Sequence, residues 1–449
     1  MKTPISWLKE FVDIDVTPEV LAENLVRLGF EVDEIIYQEK QVKNVVTVKI
    51  LSVSKHPNAD RLSVCEVDAG EHGVLQVVTN AKVEAGEYVP LALDGAVLSD
   101  GTVIKKGEVR GVLSNGMFCG GAELGITDDD YEGASRNDVL RLKGEFKTGE
   151  SVLKAIGYDD VILDVSVTAN RPDCNSVYKL AKEVALALGK EVKAPEIDYE
   201  IKAGGKVDDV VSVSVENSEL CPRYMAAAVK NVKIFPSPKL IKKRLRAVGI
   251  RPINNIVDIT NYVLIEIGQP MHAFDKRELS GDKIIVRCAK ENEEIVTLDG
   301  KLNKLNPSML VICNAEKPVA VAGIMGGEES GIKDDTAEVV LESARFKRDN
   351  VRRTSRALNL KSDSSSRFEK GVDFTCQELG LKRALTLIYK TGSGDIVDGV
   401  IDKCVPYEKQ KKLFFKISKL DDILGVEVNK AELVKILNTI GIKSSEENG

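Results

Sequence analysis

From Val45 to about Leu142 the chain runs in short alternating stretches rich in valine and glycine, and this segment constrains the fold more than any other. Val46-Thr47-Val48-Lys49-Ile50, Leu75-Gln76-Val77-Val78 and Val89-Pro90-Leu91-Ala92-Leu93 have strand length and strand composition, and Gly, Asn-Ala and Asp-Gly turns separate them. Short strands at this spacing predict a small β-barrel. The flanks read differently. Thr17 caps a helix whose first turn holds Pro18 and Glu19, with Leu21, Leu25 and Leu28 on one face and Gly29 as its stop. Helical pattern returns at Val177–Leu188, with Ser176 as cap and Gly189 as stop. The barrel therefore reads as an insertion between two parts of one helical or mixed unit.

Residues 193–210 are polar, carry Pro195 and Gly204-Gly205, and read as a linker. A long α+β region follows to about Tyr389, with a helix over Pro238–Val248, an apolar strand Met309–Ile312 and the turn Gly323-Ile324-Met325-Gly326-Gly327. The last fifty or so residues begin another unit. Asn429 and Glu432 give a capping-box-like start to a helix with Leu433, Ile436, Leu437 and Ile440 inward, and the closing Ser444–Gly449 reads as unfinished.

Composition narrows the class. At 449 residues the chain has room for about three domains. No stretch approaches the ~20 apolar residues of a membrane helix, and Met1–Glu10 lacks a signal peptide's apolar core, so a cytoplasmic location is expected. Eight cysteines without a close pair and only three histidines argue against a zinc centre or a disulfide framework, and the cysteines read as reduced and mostly buried. The net charge of −7 argues against a protein that coats nucleic acid. Residues 345–370 nevertheless hold nine Lys or Arg against three Asp or Glu, and a second basic stretch holds Lys239, Lys242, Lys243, Arg244, Arg246 and Arg251. Each alone reads as a solvated face.

Within the barrel two segments stand out, His56-Pro57-Asn58-Ala59-Asp60-Arg61-Leu62 and Arg110-Gly111-Val112-Leu113-Ser114-Asn115-Gly116-Met117-Phe118-Cys119. Together they resemble the OB-fold tRNA-binding domain of several tRNA synthetases and their accessory proteins. On that resemblance Arg61 and Arg110 contact phosphates, and Ser114 and Asn115 make polar contacts. The plainer alternative is that Gly116 serves a tight turn and His56-Pro57 orders a loop. Few aromatics are available there for base stacking.

There is no GxxxxGK[ST] phosphate loop, no GxGxxG in the Gly323–Gly327 turn and no GxSxG elbow. The richest block sequence runs Arg251-Pro252-Ile253-Asn254-Asn255-Ile256-Val257-Asp258-Ile259-Thr260-Asn261-Tyr262, Gly268-Gln269-Pro270-Met271-His272-Ala273-Phe274-Asp275, Val321–Gly327, Val340-Leu341-Glu342-Ser343-Ala344 and Lys361–Gly371. In this order and at these intervals, with Asn170-Arg171-Pro172-Asp173, the blocks resemble the β subunits of bacterial phenylalanine–tRNA ligases over essentially the whole chain. The fold so implied is α+β and multidomain. A helical/mixed N-terminal unit (1–39 plus 152–195) carries an inserted OB-fold β-barrel (40–151). An α+β editing domain (210–390) and the start of a helical DNA-binding-like domain (405–449, incomplete) follow.

In that family the editing domain hydrolyses tyrosine wrongly attached to tRNA(Phe), and the α subunit makes the ester. The chemistry is sound. A phenylalanine pocket rejects an added hydroxyl poorly, whereas a pocket that hydrogen-bonds the hydroxyl rejects phenylalanine by ~10⁴–10⁵. The resemblance, with an apolar run that places it at a strand end, makes Glu342 the acceptor of the phenol; the alternative is a surface carboxylate paired with Arg345. It makes His272, otherwise a structural loop histidine, a group that positions ester or water. It gives Arg251 the terminal adenosine, Thr260 and Asn261 the ester or water, Gly323 a close approach to backbone amides, and Ser362 and Ser364 the pocket wall. No serine or cysteine has a visible base partner, so direct water attack is expected, assisted by the free ribose hydroxyl.

The implied partners are the α subunit, in an α2β2 heterotetramer, and tRNA(Phe), with no membrane. No cofactor is expected in this stretch, while ATP and Mg2+ serve the intact enzyme. The rival readings are a non-catalytic scaffold that binds tRNA or the α subunit, and a free-standing trans-editing deacylase.

Overall fold

The computed structural model describes residues 1–128, 130–406, 412–439 and 442–445. Thr17 accepts a hydrogen bond from the Val20 amide and opens the helix Pro18–Arg27. Gly29, at φ 86°, turns the chain out of that helix into strand Glu31–Tyr37. That strand and Lys2–Pro4 flank Val161–Ser166 in a three-stranded antiparallel sheet, so segments from before and after the β-rich region share one sheet. Ser176 caps Val177–Leu188 through the Lys179 amide, and Gly189 ends it in the left-handed region.

Between these segments, Lys43–Lys55, Ser63–Asp68, Val74–Thr79, Tyr88–Val97 and Gly116–Phe118 form one five-stranded sheet with antiparallel neighbours. The alternation of Val46, Val48 and Ile50 turns one face inward onto Cys65, Val67, Val77, Val89 and Leu91. The sheet bends until its edges meet. The Asn115 backbone and side-chain amides both donate to the Gln76 carbonyl, at 2.8 and 3.1 Å.

The second half is built on a sheet in which Val339–Arg345 lies between Arg223–Lys230 and Met271–Asp275, antiparallel to both. Helices Asn255–Ile267 and Cys376–Thr391 pack against each other and against this sheet. Their junction holds a buried pair in which Arg383 donates twice to Glu266, at 2.7 and 3.0 Å. A second sheet runs in the order Ser212–Val215, Lys283–Cys288, Leu310–Cys313, Pro318–Val321 and Met325–Gly326.

Three expectations need correction. The polar stretch 193–210 is not wholly a linker. Ile201–Lys206 pairs in parallel with Asp395–Asp398 as an exposed edge strand, and Val207–Val210 forms a helical turn with both valines buried. Main-chain pairing, which is indifferent to side-chain polarity, decides this. The basic stretch from Lys239 is not a solvated face either. Arg244 is buried and donates to Glu10 and to the Tyr262 hydroxyl, Lys243 pairs with Asp159 at 2.9 Å, and Arg246 donates to the Asp130 carbonyl. At the far end, Asn429 does accept from the Glu432 amide at the start of helix Lys430–Thr439. Yet Ile436 is exposed, Leu433 and Leu437 are half-buried, and Phe414 is 82 % exposed, so no inward face forms among the described residues. Ile440 and Glu446–Gly449 lie outside the described residues.

Arg244 carries the junction between the N-terminal unit and the second half. Its guanidinium lies 5.1 Å from the ring of Trp7 and 5.8 Å from that of Tyr262, and those two rings stack at 4.6 Å. Arg244→Ala leaves part of this cationic junction unpaired and is expected to destabilise the chain by about 3 kcal/mol or more. The sole tryptophan, Trp7, is fully buried there, so urea denaturation followed by its fluorescence checks the value directly.

Candidate active site

Strand Val339–Arg345 is buried along nearly its whole length, and its middle residue is the carboxylate Glu342. In register, Glu342 stands opposite Ala226 on one neighbouring strand and His272 on the other. Residues directly opposed on paired strands project from the same face. Tyr224, two residues before Ala226, projects there too. Because Ala226 offers only a methyl group, the Tyr224 phenol reaches past it and donates to Glu342 Oε2 at 2.9 Å.

The electrostatics follow from burial. Glu342 is 5 % exposed, and loss of solvation pushes its carboxyl up to about 7, against the smaller opposing effect of the Tyr224 hydrogen bond. Burial, and then the neighbouring Glu342, drive the Tyr224 phenol well above its ordinary range. Burial pushes the imidazole of His272 down to about 4, so it is neutral at pH 7. Its Nε2 has no hydrogen-bond partner among the described residues, and its ring stands edge-on to Phe274 at 4.5 Å. The imidazole lies against bare backbone: a Cβ on Gly326 would sit 2.4 Å from its Cε1.

These groups line a small half-open cavity. The central sheet contributes Met271, His272 and Glu342, and the second sheet Ile312, Ala320 and Val321. Gly323 and Ile324 come from the intervening turn, and Ser364 and Phe368 from helix Asp363–Lys370. Its wall is built mostly of apolar side chains, with one carboxylate, one neutral imidazole and a serine as the polar groups.

The structure thus brings His272, Glu342, Gly323 and Ser364 together. Ser362 sits one step behind: it caps helix Asp363–Lys370 by accepting from the Ser365 amide, and its hydroxyl donates to the Ile324 carbonyl at 2.7 Å. Arg251, Thr260 and Asn261 do not line the cavity. Thr260 is buried and donates to the Val257 carbonyl at 2.7 Å. Their block is largely framework: Asn254 caps its helix, Asp258 accepts from Ser237 and the Ile253 amide, and Tyr262 stacks on Trp7.

Glu342 stands in mid-strand, not at a strand end, and is not paired with Arg345, whose guanidinium lies over the Phe374 ring at 4.6 Å. Gly323, at φ 70°, has its missing Cβ aimed at Phe346 and Phe368, 2.8 and 3.0 Å away, so aromatic packing accounts for the glycine. Tyr224 escapes a reading of the sequence. Its only local signal is a lone aromatic before an Ala-Ala-Ala run, and its partner lies 118 residues away.

In the β-rich region the two singled-out segments are in contact. The Asn58 amide donates to His56 Nδ1, which leaves Nε2 as the N–H donor to the Val109 carbonyl, both at 3.0 Å. The Asn58 side chain donates to the carbonyl of Arg110, a residue at φ 49°. Arg61 and Arg110 are exposed beside this knot. Ser114 is instead buried, accepting from the Val78 amide and donating to the Gly116 carbonyl, and Asn115 is held by Gln76.

Comparison with known families gives two domain types. Residues 45–151 match the family described as a putative tRNA binding domain, and residues 220–393 match the B3/4 domain. Over nearly its whole length the chain is similar to phenylalanine–tRNA ligase β subunits. It is 39% identical to the β subunit from Clostridium acetobutylicum over 98% of this chain and 55% of that one. It is 41% identical to the one from Bacillus licheniformis over 97% of this chain and 54% of that one. The chain therefore spans about 55% of the length of the curated relatives it matches. A solved N-terminal fragment of the phenylalanyl-tRNA synthetase β subunit from Pyrococcus horikoshii overlays at a TM-score of 0.31 and 17% identity, covering 65% of this chain and 80% of that one, too loosely to carry an argument.

Gly326→Ala must displace the His272 ring, and a loss of about 1–3 kcal/mol is expected in denaturant titrations. Glu342 gives a pH test. Its carboxyl titrates near 7 in the fold against 4.5 ordinarily, so the fold holds this proton more tightly. That stability is complete below pH 4.5 and lost as pH rises through 7. Glu342→Gln, which cannot ionise, should match the parent at about pH 4 and exceed it by roughly 2–3 kcal/mol at about pH 8, read from paired denaturation curves.

Proposed function

We propose that this chain provides tRNA binding and hydrolytic proofreading to a phenylalanine–tRNA ligase, removing tyrosine wrongly esterified to tRNA(Phe). Synthesis of the ester is assigned to a partner α subunit. The observation that carries the reading is the buried Glu342, one of whose oxygens is already held by Tyr224 while the residue faces a small apolar cavity beside a neutral histidine. In this reading the remaining carboxylate oxygen accepts the phenol hydroxyl of the ligand. Phenylalanine would leave that oxygen desolvated and unpaired, which is the basis of discrimination.

In this reading the aminoacyl ring enters between the two sheets and its ester lies toward the cavity mouth. Water adds to the ester carbonyl carbon, the bond to the ribose oxygen breaks, and that oxygen takes up a proton released from the water. His272, with a depressed basicity, orients the water through its unpartnered Nε2 rather than holding a full proton. Ser364 adds a polar contact at the wall. The β-rich domain contributes RNA contacts through the exposed Arg61 and Arg110, in the manner of an OB fold. Ser114 has a structural role in it, because its hydroxyl both accepts and donates inside the sheet, while Asn115 is tied to the Gln76 carbonyl through its side-chain amide.

The test is deacylation of tyrosyl-tRNA(Phe), with phenylalanyl-tRNA(Phe) as control. The tyrosyl ester alone should be cleaved rapidly, and Glu342→Ala should slow cleavage by roughly 10–150-fold, the worth of one charge-assisted hydrogen bond. Because an ionised carboxylate accepts best, kcat/KM corrected for spontaneous hydrolysis should rise about tenfold between pH 6 and pH 8. Equal cleavage of both esters, or full activity in Glu342→Ala, would refute the assignment.

A further inference from the structure

Helix Arg348–Ala357 divides sharply into two faces. Asn350, Val351, Thr354 and Ser355 are buried, while Arg348, Arg352, Arg353 and Arg356 are exposed. At 100° per residue the four arginines span an arc of about 140°, and from Arg348 to Arg356 they extend about 12 Å along the axis. Lys361, also exposed, continues the positive surface beyond the helix. The stripe is scarcely neutralised. Arg348 lies 3.8 Å from Asp349, whereas Arg352, Arg353, Arg356 and Lys361 form no salt bridge among the described residues. Concentration of positive charge in a chain of net charge −7 calls for a counterpart.

The buried face of this helix is fixed to the cavity. Val351 Cγ2 lies 3.2 Å from where a Gly323 Cβ would stand, against the turn that lines the site. Phe346, just before the helix, packs edge-on against Phe368 of the cavity wall at 5.2 Å. Asn350 anchors the other side by donating to the Ser308 carbonyl at 2.7 Å. The arginine stripe therefore sits on a rigid element directly behind the cavity wall.

We infer that this arginine face is the docking surface for the sugar-phosphate backbone of the RNA whose aminoacylated 3′ end enters the cavity. The inference rests on the hydrolytic reading above, and charge complementarity selects the occupant. An ester bound only by its amino acid would be held weakly in so small a pocket. A row of guanidiniums on a fixed helix can grip successive phosphates without reading bases, as suits one tRNA end presented in one orientation.

The test compares the full chain with the triple variant Arg352→Gln/Arg353→Gln/Arg356→Gln. Glutamine keeps side-chain length and helix propensity, and matched circular dichroism and melting curves confirm that the fold is retained. Affinity for fluorescently labelled tRNA(Phe) is read by anisotropy over a salt series. Each phosphate contact to a single strand contributes about 0.7 to the slope of log affinity against log salt, so the slope should fall by about 2 and Kd should weaken at least tenfold near 0.1 M salt. In deacylation assays the loss should lie in KM. The corresponding Arg→Lys triple keeps the charge and should restore the slope.

An unchanged slope and Kd in the glutamine variant overturn the inference, and that holds equally if a protein partner covers the face instead. The two readings fail separately. If neither ester is cleaved but the slope falls, the arginine face stands and the hydrolytic assignment does not. If the tyrosyl ester is cleaved and the slope is unchanged, the reverse is true.

Discussion

The site depends on a single strand, Val339–Arg345, that is paired on both edges and buried on both faces. Its backbone hydrogen bonds are satisfied by Arg223–Lys230 and Met271–Asp275, so it cannot shift register without turning every side chain to the opposite face. Locked in this way, it holds a carboxylate where water cannot reach it freely. On the other face, Ser343 donates to the Gln377 carbonyl and ties the strand to helix Cys376–Thr391. The polar residue that faces the cavity and the one that faces the helix are neighbours in sequence, separated only by the pleat.

Burial then sets the chemistry of both titratable groups in opposite directions. Desolvation raises the Glu342 carboxyl and lowers the His272 imidazole, so each is driven toward its neutral form. Tyr224 resists that trend at Glu342, because its hydrogen bond favours the charged carboxylate. The cavity is thus a low-dielectric chamber with one group poised near neutrality and one held neutral. Small residues allow this geometry: Ala226 lets the Tyr224 phenol cross the strand, and Gly326 lets the edge of the imidazole approach the backbone closely. Neither glycine nor alanine touches chemistry directly, yet a larger residue at either place would move a group that does.

The remainder of the chain presents this chamber. The N-terminal unit is clamped to it by the stack of Trp7, Arg244 and Tyr262, and Lys179 reaches Asp373 at 3.0 Å across the same junction. Helix Arg348–Ala357 contributes both wall support and a positive outer face. The N-terminal sheet, whose strands come from either side of the β-rich region, shows why that region can be inserted without interrupting the surrounding unit: Glu31–Tyr37 and Val161–Ser166 are adjacent in space.

The sequence by itself determined the local elements. Thr17, Ser176 and Asn429 announce their helices because a cap is a contact between residues three apart, and valine alternation announces the five-stranded sheet because a pleat has period two. The block pattern carried the family resemblance and, through it, His272, Glu342, Gly323 and Ser364 as neighbours. Tertiary structure alone decided the rest. It decided that Glu342 is partnered by Tyr224 and not Arg345, and that Arg244 is buried while Arg352, Arg353 and Arg356 are not. It also decided that Thr260 and Asn261 stand away from the cavity, and that Ile201–Lys206 is a strand. Each of these depends on which distant segment arrives opposite a given residue, and neither spacing nor composition along the chain encodes a partner more than a hundred residues away.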